Sequence, residues 1–187
     1  MKKLLLMPVL VLAGILIAGL YGVLHNQISY TVSPEYFTRF RFAQFSVPEH
    51  MHSRIGASVV GWQATWWMGA IIGAVIVPVG LIIRGVKNYA MSVCRAFLVV
   101  VLTAITVGLT ALLVSCFTIH GSTVPGYWCP GGLVDTVAFA RVGTMHNFSY
   151  LGGLLGIPTG IVYLILRRKC DDRLTSARER DGSRFWG

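Results

Sequence analysis

Histidines are the side chains in this sequence whose type and placement point to chemistry. His25 closes the first long apolar run, 4–24, and His146 stands just before the last, 148–166, so both are expected at one membrane face. His50, His52 and His120 fall in the two long polar segments between those runs, among the carboxylates Glu35, Glu49 and Asp135 and the polar side chains of Gln27, Tyr30 and Tyr36. Imidazoles with a carboxylate form the ligand set of zinc, copper or non-haem iron. The expected metal set is His25, Glu35 and His146, completed by His50, His52 or His120. The reasoning is geometric: two helix ends at one depth can share a pocket, and a helix starting soon after His25 must fold back over its mouth and can aim Glu35 or Tyr36 inward.

The motif evidence for that set is thin. His50-x-His52 is the only tight pair, and H-E-x-x-H, C-x-x-C and a repeated Glu-x-x-His are all absent. Haem ranks lower than a bare metal, because it needs two axial histidines on facing helices at a common depth. His25 and His146 match in depth but read as helix-end residues. A hydrolytic triad would have to use Ser33 or Ser149, and neither sits in G-x-S-x-G.

The elements that must hold these residues are membrane helices. The chain has 187 residues, is 55% hydrophobic and only 12% charged, and has a mean hydropathy of +0.67, whereas soluble domains carry about 25% charged residues. Apolar runs at 4–24, 59–83, 96–117 and 148–166 are each close to the ~20 residues that cross a bilayer as a helix. They are continuously apolar and so do not read as the alternating strands of a barrel. The predicted fold is an all-α, four-helix transmembrane bundle over 1–170, followed by a charged tail, 171–187, that is expected to be disordered or to lie on the membrane surface. Lys2 and Lys3 resemble the start of a signal peptide, but the apolar stretch is long and lacks a small-x-small site, so an uncleaved anchor is expected.

The net charge of +9 is distributed by side rather than clustered for nucleic acid. Twelve basic residues, including Lys2, Lys3, Arg84, Lys87, Arg95 and those from Arg167 onward, fall on one side, against Arg39, Arg41, Arg54 and Arg141 on the other. The positive-inside rule then predicts cytoplasmic termini, with the two long loops outside. The basic excess also suits anionic lipid headgroups, whereas no nucleic-acid partner is expected. No acidic or basic residue lies deep in a span, which counts against an ion pump.

Along the chain, Ser33-Pro34-Glu35 reads as a helix start, with Ser33 as the cap, and predicts a short amphipathic helix over 34–45 carrying Phe37, Phe40, Phe42 and Phe45. Trp62, Trp66 and Trp67 form an aromatic belt in the second span, Gly69 and Gly73 make a GxxxG, and Pro78 is expected to kink its far half. Pro125, Gly126, Tyr127 and Trp128 make the second loop turn-rich, with a brief helix expected over 133–141. Cys116 and Cys129 fall on the outer side and predict a disulfide there, while Cys94 and Cys170 should stay reduced. Gly152, Gly156 and Gly160 form a close-packing ridge, for a neighbouring helix of the bundle or for a homo-oligomer.

The stretch His25-x-Gln27 followed by Ser33-Pro34-Glu35-Tyr36-Phe37 resembles one found in uncharacterised small bacterial inner-membrane proteins. That resemblance implies a multi-pass protein of the bacterial inner membrane and no particular activity. Two functional readings remain. One is a non-catalytic subunit or scaffold that binds partner helices or lipid. The other is a metal-binding, redox or hydrolytic protein with a His/Glu site at the extracytoplasmic face.

Overall fold

The computed structural model describes residues 1–124 and 129–183, with side chains as far as residue 176. The expected turn at Pro125, Gly126, Tyr127 and Trp128 and the last four residues of the tail lie outside this description. The chain is an all-helical, multi-pass membrane protein whose four long helices are apolar enough to cross a bilayer. They are α1 (Lys2–Val32), α4 (Arg54–Val79), α5 (Val86–Thr118) and α6 (Thr136–Ser183). Between α1 and α4 lies the expected short helix, in three pieces: α2 (Pro34–Tyr36), a π-helical turn (Phe37–Arg41) and α3 (Phe42–Gln44).

Two antiparallel hairpins make the bundle, each zipped by small residues spaced four apart. In the first, 14 of α1 faces 69 of α4, 18 faces 65, 22 faces 61 and 26 faces 57. A Cβ added at Gly22 would lie 2.2 Å from the Gly61 carbonyl oxygen, and one at Gly61 would lie 2.2 Å from that of Gly22. Between the glycines, the Thr65 hydroxyl donates to the Ala18 carbonyl at 2.7 Å, and the Asn26 amide donates to the Ala57 carbonyl at 2.9 Å. In the second hairpin Gly152, Gly156 and Gly160 seat against Ala104, Val100 and Ala96 of α5. The glycine ridge is therefore covered from within the chain by α5 and is buried there.

The ends of the bundle are stitched differently. At the end carrying both termini, Lys3 donates to the carbonyls of Leu81 (3.3 Å) and Ile83 (2.5 Å), and Arg168 donates to that of Ile82 (2.8 Å). These carbonyls follow the last turn of α4, where no intrahelical donor remains for them. The Tyr89 hydroxyl donates to the Val77 carbonyl in the same role, and Pro78 stands where α4 gives way to a 3-10 turn, Gly80–Ile82. Residues from all four helices, among them Leu10, Ile76, Phe97 and Leu164, close the core above these ties. At the opposite, loop end a second core joins Phe37 and Phe42 to Val60, Phe139 and Val142.

Two expectations are corrected. The brief helix over 133–141 and the last span are one element, because α6 begins at Thr136 and continues unbroken. The region after residue 170 is helical to Ser183 rather than loose, at 48 residues and ~72 Å for the whole of α6. Arg167–Asp171 and Arg168–Asp172 ion pairs, at 3.0 and 2.8 Å and one turn apart, favour continuing the helix beyond the apolar stretch.

Because the facing backbones touch at Gly22 and Gly61, the Gly22→Ala variant should be overpacked. The expected loss is ~1–3 kcal/mol, read as a lower melting temperature in detergent. Gly121→Ala, where an added Cβ meets nothing within 4 Å, should melt like the parent protein.

Candidate functional site

The loop end of the bundle holds a buried polar cluster built by two helices. His25 of α1 and His146 of α6 meet edge to face, with ring centroids 4.7 Å apart. Each ring is hydrogen-bonded to a serine on the other's helix. His25 Nε2 and Ser149 Oγ are 2.8 Å apart, and His146 Nε2 and Ser29 Oγ are 3.0 Å apart. The Ser29 hydroxyl can also donate to the His25 carbonyl at 3.1 Å or to Met145 Sδ at 4.0 Å, so the His146–Ser29 pair has a donor in either tautomer. Serine at i+4 from one histidine and at i+3 from the other puts all four side chains on facing stripes of the two helices. All four are buried.

Both histidines lie well inside their helices rather than at the ends, because α1 runs past His25 to Val32 and α6 begins at Thr136. The early loop residues on either side are helical too, so helix length and not the limit of the apolar run sets their depth. With the rings in direct edge-to-face contact, no porphyrin fits between them.

The expected metal set does not assemble. Among the described residues no three of His, Cys, Asp and Glu are grouped to hold a metal ion. Glu35 is engaged elsewhere, since its two carboxylate oxygens accept the backbone N–H groups of Val134 (2.9 Å) and Asp135 (2.8 Å). Those two bonds hold its carboxyl below the ordinary value for a glutamate. Glu35 thus ties the loop helix to the start of α6 instead of turning inward. His52 stacks on Phe42 at 4.5 Å and donates to the Val47 carbonyl at 2.9 Å. His120 donates to the Phe117 carbonyl at 3.0 Å, and His50 stands exposed.

The predicted Cys116–Cys129 bridge is absent, and both are free thiols. Cys116 lies on the exposed side of α5, whereas Cys129 packs onto the loop-end core beside Tyr36 and Phe139. Burial pushes the Cys129 thiol up. Ser33 caps α2, accepting the Tyr36 N–H at 3.3 Å, and is not a nucleophile. Ser149 does contact a histidine, but among the described residues no carboxylate touches His25 to orient it as the third member of a triad would.

What the sequence reading missed is the space beside this cluster. A cleft of about 840 Å³ opens at the loop end, walled by Tyr36, Phe40, Arg41, Trp67, Phe139 and Tyr150. In the sequence Arg41 reads only as one of the loop charges. The π-helical turn adds a residue to the coil at this point, so that Phe37, Arg41 and Phe42 all turn inward. Its guanidinium donates to the Tyr36 phenol through Nε (3.2 Å) and Nη2 (2.8 Å) and to Gln44 Oε1 through Nη1 (2.6 Å). Tyr36 in turn stacks on His146 at 4.9 Å. Burial raises the Tyr36 hydroxyl above its ordinary value, with Arg41 acting the other way.

Below the cleft, Trp67 and Tyr150 also wall a second space of about 390 Å³. This groove runs between α4 and α6 past Ile71, Ile72, Leu154 and Ile157, with the Tyr150 hydroxyl and the Trp67 indole as the only hydrogen-bonding groups on its wall side chains besides the Met68 thioether. The sequence signal for it was the tryptophan belt, which had read simply as an interface anchor.

Removing the Ser29 hydroxyl leaves His146 Nε2 without its hydrogen-bond partner in a buried site. Ser29→Ala should cost ~1–3 kcal/mol, seen as a lower melting temperature in detergent. Thr31→Ala on the exposed side of the same helix turn should change stability by no more than ~0.5 kcal/mol.

No protein-family model, curated protein or solved structure matches this chain.

Proposed function

We propose that this is a non-catalytic membrane protein that binds one lipid laterally, with the lipid's head in the loop-end cleft and a tail in the groove between α4 and α6. The observation that carries this is the adjacency of the two spaces, which share Trp67 and Tyr150 as walls. A ligand spanning them meets a mixed polar and aromatic chamber and then an apolar slot, the order in which a lipid presents its own parts. The slot runs from Trp67 to Ile72 on α4 and from Tyr150 to Ile157 on α6, ~10 Å along the axis. It takes the upper part of one chain and leaves the rest among bulk lipid.

Catalysis has less support. The histidine and serine side chains satisfy one another, and the carboxylate that would activate them is bound to backbone 100 positions away in sequence. In this reading His25, His146, Ser29 and Ser149 lock the two hairpins at the depth where the cleft must keep its shape. The asymmetry of basic residues supports cytoplasmic termini, and with them a cleft that opens to the extracytoplasmic leaflet. A reporter at the C-terminus should then be active only as a cytoplasmic fusion, and periplasmic activity would reverse the leaflet.

Leu154→Trp should fill the groove without touching the cleft. Native mass spectrometry of protein extracted in mild detergent should show one lipid retained by the parent protein and roughly tenfold less by the variant, since the slot's dry contacts are lost to the ligand. Equal retention by both would remove the groove from the reading.

A further inference from the structure

We propose that the lipid held in the cleft is an anionic phospholipid, and that Arg41 reads its phosphate. The inference rests on the lipid-binding reading and adds the chemical class of the headgroup. Arg41 is only 9% exposed, yet among the described residues no carboxylate oxygen lies within ion-pairing distance of it; the ion pairs present all lie at the other end of the bundle. Two acids of the loop segments are engaged with backbone: Glu35 accepts the N–H groups of Val134 and Asp135, and Asp135 accepts that of Ala138 at 2.8 Å. A buried charge with neutral partners alone is costly unless an anion joins it.

The guanidinium has the donors to receive one. Of its five N–H groups, three are used: Nε–H and one from Nη2 on the Tyr36 phenol, and one from Nη1 on Gln44. One N–H remains on each terminal nitrogen. These two N–H groups are the donors left to meet oxygens of a phosphate or carboxylate. Phe40 and Tyr36 lie 5.0 and 5.2 Å from the guanidinium carbon and hold its plane. The cleft that Arg41 lines is about 840 Å³, room for a glycerophosphate head and more than a carboxylate needs. The apolar groove between α4 and α6 adjoins it across Trp67 and Tyr150. The shared chemistry is an oxyanion, and the groove favours one carried by a lipid over free phosphate.

The test uses the full-length protein in a neutral detergent, titrated separately with a phosphatidylglycerol, a diacylglycerol of the same chains, and inorganic phosphate, with binding read by native mass spectrometry. The expected result is retention of phosphatidylglycerol at least roughly tenfold above diacylglycerol, a difference that Arg41→Gln abolishes and Arg41→Lys restores in part, since lysine keeps the charge and loses the fork. Equal binding of the two lipids, with Arg41→Gln without effect, overturns the headgroup assignment and leaves the lipid-binding reading standing. Binding of neither lipid overturns both. Inorganic phosphate that displaces phosphatidylglycerol and binds as well alone overturns the lipid source in favour of a free anion. Should Arg41→Gln fail to fold, the parent protein's preference between the two lipids decides the matter by itself.

Discussion

The rest of this structure depends on how closely two pairs of backbones can approach. In a membrane, lipid competes for apolar side chains as well as a neighbouring helix does, so helices stay together where small residues let their backbones touch. Gly14, Ala18 and Gly22 against Gly61, Thr65 and Gly69 do this for α1 and α4, and Gly152, Gly156 and Gly160 do it for α5 and α6. Each seam steps by four residues, which keeps one stripe of each helix facing its partner over several turns. The seams also set register, because a shift by one residue would drive side chains into the carbonyls that the glycines now leave clear.

Two tight hairpins cannot also be tight against each other on every side. They meet through α1, where Gly14 makes room for Phe97 of α5 and where His25 meets His146 of α6. On the other side, α4 and α6 are held by longer side chains, Met68 reaching toward Gly153 and Ile76 toward Gly160. The groove and the cleft are what remains between them. The polar lock at His25, Ser29, His146 and Ser149 and the open side at Trp67 and Tyr150 are thus two consequences of one packing choice.

The loop helix completes the site from above. Its cap at Ser33 and its tie through Glu35 to the start of α6 fix where it begins and where it lies. Its π-helical turn then decides which side chains point down, and it selects an arginine together with two phenylalanines. In a regular helix Arg41 would share a face with Phe37, four residues before it, while Phe42 would turn well away from them. Local departure from the α-helical period is what adds Phe42 to the face that already carries Phe37 and Arg41.

The sequence by itself determined the four spans, the capped helix after the first of them, the glycine ridge of the last, and the shared depth of His25 and His146. These follow from hydropathy, from spacing along one helix and from chain direction, all of which are local properties. Only the tertiary structure decided that Glu35 bonds backbone near residue 134, that Cys116 and Cys129 face different surroundings, that His50, His52 and His120 stay apart from the central pair, and that Arg41 is buried. Each of those depends on the rotation of one element against another, which the small-residue seams and one π-helical turn set, and helical rotation of a residue's worth, ~100°, is enough to exchange a ligand pointing inward for one pointing away.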